Sequence, residues 1–238
     1  MTRIAIIAAM PGELKPLTCG WQHERSNGVD LWSFNKGEWV AACAGAGVVA
    51  ATRAFAQVEK LGPVTTVIST GWAGALREEL VPGHAYDVSA VIDSRTGERF
   101  VTAGPPTDYW LVTSSRVADA KEKQRLAATY RAALVDMEAA GVARLAQMNG
   151  IPFYCIKGIS DGYSEQLPDF NRFISPGGQF KLARFMVFVL LRPWYWHALV
   201  RMGENSRKAA RNIAQSLLDF LDERGPAIKR NGNPNHQR

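Results

Sequence analysis

Six consecutive apolar residues, Ile4-Ala5-Ile6-Ile7-Ala8-Ala9, place the strongest constraint on the fold. A strand with one wet face alternates apolar and polar residues, whereas a strand covered on both faces is apolar throughout. Sheets buried on both faces carry helices on both sides, so the chain reads as α/β. Similar runs recur at residues 64–70 and 153–156. Between them lie helical patterns. Residues 48–61 put Ala51, Phe55 and Val58 on one face, and residues 138–149 do the same with Ala139, Val142, Ala143 and Ala146 before Gly150. Strands alternating with helices predict a mostly parallel sheet sandwiched by helices.

The remaining elements follow from turn residues. Met10-Pro11-Gly12-Glu13 breaks the first strand, and Pro11 starts a short helix. Residues 30–34 and 39–43 form a hairpin around Asn35-Lys36-Gly37. Residues 85–92 read as one strand, 93–108 as a loop or hairpin, 110–113 as a short strand, and 132–136 as another. Residues 64–70 end as a strand at a ligand loop, Gly71-Trp72-Ala73-Gly74. Residues 121–131, charged and alanine-rich, read as a surface helix. Residues 180–200 are apolar and aromatic but interrupted by Arg184, Arg192 and Pro193, too broken to cross a bilayer. The last helix carries a stripe of Ala210, Ile213, Ala214, Leu217, Leu218 and Leu221. The expected organisation is one domain, residues 1–224, and a basic, disordered tail, residues 225–238.

The net charge of +6 is partly a property of that tail, through Arg224, Lys229, Arg230 and Arg238, so no nucleic-acid partner is expected. Cys19, Cys43 and Cys155 lack metal-ligand spacing and cannot all pair. Cys43 and Cys155 sit in apolar strand patterns as small hydrophobes, which suggests a reducing, cytoplasmic setting. The first apolar run is too short for a secretory core. Neither metal nor cofactor is expected.

Three acids stand at strand ends. Asp161 closes Ile156-Lys157-Gly158-Ile159-Ser160-Asp161-Gly162, where open α/β folds bind ligands. A helix N-cap is the competing reading. Glu138, after Val135-Asp136-Met137, and Glu13 are each either ligand-facing or first-turn acids favoured by a helix dipole. Gly45-Ala46-Gly47-Val48-Val49-Ala50 fits the G-x-G-x-x-A dinucleotide pattern. It follows a later strand than such motifs do, and the next strand ends without a ribose-binding acid. Close helix–strand packing, or backbone N–H groups facing a polar ligand atom, fits these glycines better.

Residues 1–13, Ser69-Thr70-Gly71-Trp72-Ala73-Gly74-Ala75-Leu76, Val81-Pro82-Gly83-His84-Ala85, Val135-Asp136-Met137-Glu138-Ala139 and Ile159-Ser160-Asp161 together resemble the nucleoside phosphorylase/nucleosidase superfamily. The likeness is greatest to methylthioadenosine/S-adenosylhomocysteine nucleosidases and hopanoid-associated nucleoside phosphorylases, over residues 1–222. It implies a three-layer α/β/α sandwich around a mixed, mostly parallel, partly barrel-like sheet, and a homodimer. The implied substrate is a purine nucleoside, with adenine as its base. Asp161 would protonate purine N7, a contribution of about 10²–10⁴-fold. Glu138 would hold the ribose hydroxyls at about 1.5–3 kcal/mol, with Met137 against the sugar. Glu13 would activate water, Ser160 would support the purine or Asp161, and Gly71, Trp72 and Ala46 would complete the substrate site.

The chain departs from the family in three places. Trp72 stands where a small hydroxyl residue is usual, so it either fills an anion space or marks a non-catalytic nucleoside-binding protein. No arginine stands near Gly45 or Gly12 to hold phosphate, which favours hydrolysis over phosphorolysis. Around Thr113 to Lys123, where the nucleosidases stack an aromatic on adenine, only Val117 and Ala118 are found. Finally, Phe188, Trp194, Tyr195 and Trp196, with Arg192 and Arg201, form either a peripheral membrane patch suited to a lipid-linked adenosine or an aromatic dimer or core contact.

Overall fold

A computed structural model describes residues 3–165, 167–175 and 178–224. The proposed tail, residues 225–238, lies outside them. In chain order the elements are β1 (Ile4–Ala8), α1 (Pro11–Leu14), β2 (Gln22–Ser26), β3 (Val29–Phe34), β4 (Trp39–Cys43), α2 (Val48–Lys60), β5 (Thr66–Ala75), β6 (Ala85–Asp87), β7 (Ala90–Asp93) and β8 (Arg99–Val101). Then come β9 (Trp110–Thr113), α3 (Ala120–Tyr130), β10 (Leu134–Asp136), α4 (Ala139–Asn149), β11 (Phe153–Asp161), α5 (Leu182–Leu190) and α6 (Trp196–Arg224).

The sheet is mixed and mostly parallel, in the order β2-β3-β4-β1-β5-β10-β9-β7-β8, with β11 against β5 and β6 against β11. β1 runs parallel to β4 and β5, and β5 parallel to β11. Successive residues of a strand face opposite sides, and β1 divides accordingly. Ala5 and Ile7 join a core with Ala51, Phe55 and Val58 of α2 and Ala139, Val142 and Ala143 of α4. Ile6 and Ala8 join a second core with Leu14 of α1 and Ile213, Leu217 and Leu221 of α6. That is why the first strand is apolar throughout. Helix α6 settles on β11 where Gly158 leaves room. A Cβ there would lie 2.7 Å from the Ala209 Cβ.

Several expectations need correction. Strand β5 does not end at Thr70 but runs to Ala75, because its second half gains partners: Gly71 to Ala73 pair with β11, and Gly74 and Ala75 with β10. The expected strand at 85–92 is two, because β6 pairs with β11 while β7 pairs with β9; Val88 and Ser89 make the step between them. β2 was missed, being an exposed polar edge strand without alternation. Residues 93–108 hold a hairpin, β7 with β8. Asp161 is the last residue of β11 and caps no helix. Helix α3 is where it was expected but is not wholly a surface element, since Lys123 is 1% exposed.

One ion pair lies inside this frame. Lys157 of β11 and Asp136 of β10 approach to 2.9 Å with both side chains fully buried. Lys157 also donates to the Thr70 carbonyl at 2.9 Å. Asp136 accepts from the Thr113 hydroxyl at 2.7 Å and from the Ala139 N–H at 2.9 Å. Burial alone would lower the Lys157 pKa; the adjacent Asp136 carboxylate and, less strongly, Cys155 and Glu138 together hold it above the ordinary lysine value. Removing one member of a buried pair strands the other, at about 3–5 kcal/mol. Lys157→Met should lose about that much in urea unfolding, and the double variant with Asp136→Asn should recover part of it.

Candidate active site

A mostly apolar cavity of about 730 Å³ opens where the ends of β5, β10 and β11 meet α1 and α6. Of the eight residues expected in the site, seven line it: Glu13, Ala46, Trp72, Met137, Glu138, Ser160 and Asp161. Gly71 lies behind the wall, under Glu13.

Glu13 is turned inward on α1 and is held by three backbone donors. Its Oε2 accepts from Ala9 N–H at 2.8 Å and Met10 N–H at 2.7 Å, and its Oε1 from Trp72 N–H at 2.8 Å. Gly71, at φ +117°, makes this possible: a Cβ there would sit 2.7 Å from Glu13 Oε1. Burial raises the Glu13 pKa above 4.5, against the lowering effect of these donors and of Lys157. An acid moved toward neutrality is suited to general-base work.

Glu138 occupies the N-cap position of α4, yet its side chain caps nothing there. Asp136 serves the α4 amide of Ala139 instead. Glu138 Oε1 accepts from Gly47 N–H at 2.6 Å and Oε2 from Met137 N–H at 3.2 Å. Burial first, and the neighbouring Asp136 charge second, push its pKa from 4.5 to about 8; Lys157 and the Gly47 N–H act against them. The Gly45-Ala46-Gly47 motif is therefore spoken for on the protein side. Gly47 serves Glu138, and Ala46 donates to the Gly178 carbonyl at 2.8 Å.

Asp161 is engaged at both oxygens. Oδ1 accepts the Ser160 hydroxyl at 2.6 Å. Oδ2 accepts from the Lys123 ammonium, which also donates to the Gly162 carbonyl at 2.7 Å. Lys123 was missed because α3 is rich in charge. The available signal was its place three residues before Leu126, which is also buried. Lys157 was readable too, since a lysine inside a strand buried on both faces needs a partner.

Trp72 fills the corner between α1 and α6. Its indole N–H donates to the Ser206 carbonyl at 2.9 Å, and its ring edge lies 3.1 Å from where a Gly12 Cβ would be. The expectation that no arginine stands near Gly45 is corrected: Arg53 donates to the adjacent Ala44 carbonyl at 2.6 Å, although it does not line the cavity. Arg116 and Arg207 do line it. Aromatic side chains do reach the cavity, from a later segment. Phe170, Phe180 and Phe185 share the wall with Val117 and Ala118. Asn171 fastens this segment by exchanging hydrogen bonds of 2.8 and 3.0 Å with the Val117 backbone.

The outer wall continues into α5, which has no buried residue. Leu190 is 69% and Trp194 68% exposed, beside Leu182, Met186, Val187 and Trp196. Among the described residues no helix is long and apolar enough to cross a membrane. Cys43 and Cys155 are buried, which pushes both thiols up to about 12, as the reading of them as small hydrophobes requires.

Known proteins can be set against this geometry. No curated protein matches the chain. Solved structures share its fold. The 5′-methylthioadenosine/S-adenosylhomocysteine nucleosidase of Helicobacter pylori with butyl-thio-DADMe-Immucillin-A is 18% identical, with a TM-score of 0.69 over 94% of this chain and 99% of that one. Futalosine hydrolase of the same organism is 17% identical, with a TM-score of 0.69 over 93% and 98%. The 5′-methylthioadenosine nucleosidase of Arabidopsis thaliana is 18% identical, with a TM-score of 0.68 over 94% and 98%. The sequence model of the phosphorylase superfamily matches residues 3–109 and 109–177. Among the described residues that span takes in all eleven strands and every acid on the cavity wall, and the chain belongs to the phosphorylase superfamily.

Proposed function

We propose that the chain hydrolyses the N-glycosidic bond of a purine nucleoside, with adenine the favoured base. The observation that carries this is the convergence of Glu13, Glu138 and Asp161 on one apolar cavity. Asp161 protonates the leaving purine at N7, so the base departs neutral while the sugar becomes an oxocarbenium ion. Glu138 orients the ribose hydroxyls, with Met137 beneath the sugar. Glu13 takes a proton from the attacking water. Ser160 fixes the Asp161 carboxyl, and Phe170, Phe180 and Phe185 offer faces for the base. The activities of the similar structures, nucleosidase and futalosine hydrolase, support water as nucleophile. Arg116 and Arg207 on the wall make phosphate the competing nucleophile.

A second reading concerns where the enzyme works. We propose that the exposed apolar face of α5 with Trp194 and Trp196 rests on an anionic membrane interface, flanked by Lys181, Arg184 and Arg192, and admits a lipid-linked adenosine. A homodimer packed through this face is the competing occupant.

Glu138 also links function to stability. Its pKa of about 8 against an ordinary 4.5 means the folded protein keeps a proton that the unfolded chain releases within that window. The folded state binds more protons, so this group's contribution to stability falls as pH rises from 4.5 to about 8.

Incubation with a panel of nucleosides, with and without phosphate, should release free base and free ribose; ribose 1-phosphate would mean phosphorolysis. Asp161→Asn should lower base release by about 10²–10⁴-fold with an unchanged circular dichroism spectrum, and full activity in that variant would sink the mechanism. Glu138→Gln should raise the melting temperature at pH 8 by about 2–8 °C, less at pH 5, if the gain is about 1–2 kcal/mol. For the surface reading, the protein should co-sediment with anionic vesicles and lose this with Trp194→Ser and Trp196→Ser. A concentration-dependent dimer that ignores vesicles favours the other occupant.

A further inference from the structure

We infer that Lys123 and Asp161 work as a single acid, in which Lys123 is a positioning residue that also supplies the proton Asp161 passes to the base. The inference rests on the purine-nucleoside reading above. Asp161 forms an ion pair through Oδ2 with the buried Lys123 ammonium, while the single proton of the Ser160 hydroxyl is divided between Asp161 Oδ1 at 2.6 Å and the Ala73 carbonyl at 3.3 Å. A carboxylate paired in this way has no proton of its own to give. The nearest donor is the Lys123 ammonium, which is shut away from bulk water at 1% exposure. Gly74 makes the space for the pair. A Cβ there would lie 3.1 Å from Lys123 Cε and 3.2 Å from Asp161 Oδ2, so the β5 backbone forms its floor. A third lysine N–H remains beyond those given to Asp161 and Gly162.

The proton moves from Lys123 Nζ to Asp161 Oδ2 and on to the base nitrogen. The bond from C1′ to the base breaks, and its electron pair goes to the base. Water adds to C1′ and gives a proton to Glu13. Lys123 is left as a neutral amine and regains a proton from solvent once the base has gone, while Glu13 releases its own. The balance is nucleoside plus water to base plus sugar. Other ionisable groups on the wall are Glu13, Lys15, Arg116, Asp136, Glu138 and Arg207. Glu165 accepts from the Gly162 N–H at 3.1 Å and pairs with Arg201, and on α3 itself Glu122 pairs with Arg125.

The test is the pH profile of base release from adenosine and 5′-methylthioadenosine. Lys123→Met leaves Asp161 to carry its own proton, so the alkaline limb of kcat should move down by at least one pH unit, with kcat near neutrality lower by about 10²-fold. KM should change little. Lys123→Arg keeps the charge but not a releasable proton, so it should fold and bind yet stay about as slow as Lys123→Met. An unmoved alkaline limb in Lys123→Met, or wild-type kcat in Lys123→Arg, overturns the inference while leaving the purine-nucleoside reading intact. If Lys123→Met does not fold, the kcat of Lys123→Arg decides. A wild-type protein that releases no base from either nucleoside overturns both.

Discussion

The Asp136–Lys157 pair is the interaction on which the site depends. Lys157 crosses from β11 to β10 and reaches the Thr70 carbonyl of β5, so it ties three strands to one another. Asp136 extends the tie to Thr113 of β9 and to the first amide of α4. Two buried charges are costly to desolvate, and such a pair is often no better for stability than apolar packing. Its value here lies in the field it sets. Lys157 lowers the pKa of both Glu13 and Glu138, against the burial that raises them. Without that cation, Glu13 and Glu138 would keep their backbone donors but lose the buried positive charge that acts on both.

The acids themselves are separated by environment. Glu13 is held by backbone N–H groups alone, Glu138 by Gly47 and Met137 backbone with a like charge nearby, and Asp161 by a hydroxyl and an ammonium. The same functional group is thereby given three different sets of partners within one apolar space. The apolar walls matter as much as the acids, because each of these contacts strengthens where water is excluded.

What could be read from the chain alone was what local pattern encodes. The apolar run of β1, the stripes of α2, α4 and α6, and the acids following β10 and β11 all carry periodicity or position in their own residues. What could not be read depended on distant partners. Gly71-Trp72-Ala73-Gly74 looks like a turn until β11 and β10 supply its hydrogen bonds. Lys123 looks solvated until Asp161 arrives from 38 residues away. The phenylalanines at 170, 180 and 185 lie outside any motif, and their segment meets the cavity wall where Asn171 bonds the Val117 backbone. The split between β6 and β7 likewise follows from distant partners, since β6 pairs with β11 and β7 with β9.

One helix joins the parts of the molecule that the sequence left disconnected. α6 begins at Trp196 on the exposed apolar face, places Leu199, Met202, Gly203 and Ser206 on the cavity wall, and ends with Ile213, Leu217 and Leu221 in the core beneath β1. Its 29 residues span about 44 Å at 1.5 Å each. Because Ser206 also holds the Trp72 indole, the helix and β5 share a hydrogen bond at the corner where the family usually has a small residue. The large side chain at position 72 is therefore answered by the backbone of α6. The exposed turn at Trp194 and Trp196, the cavity wall and the Trp72 corner are packed along one rigid element. Whatever rests against that turn is joined through α6 to the wall of the cavity.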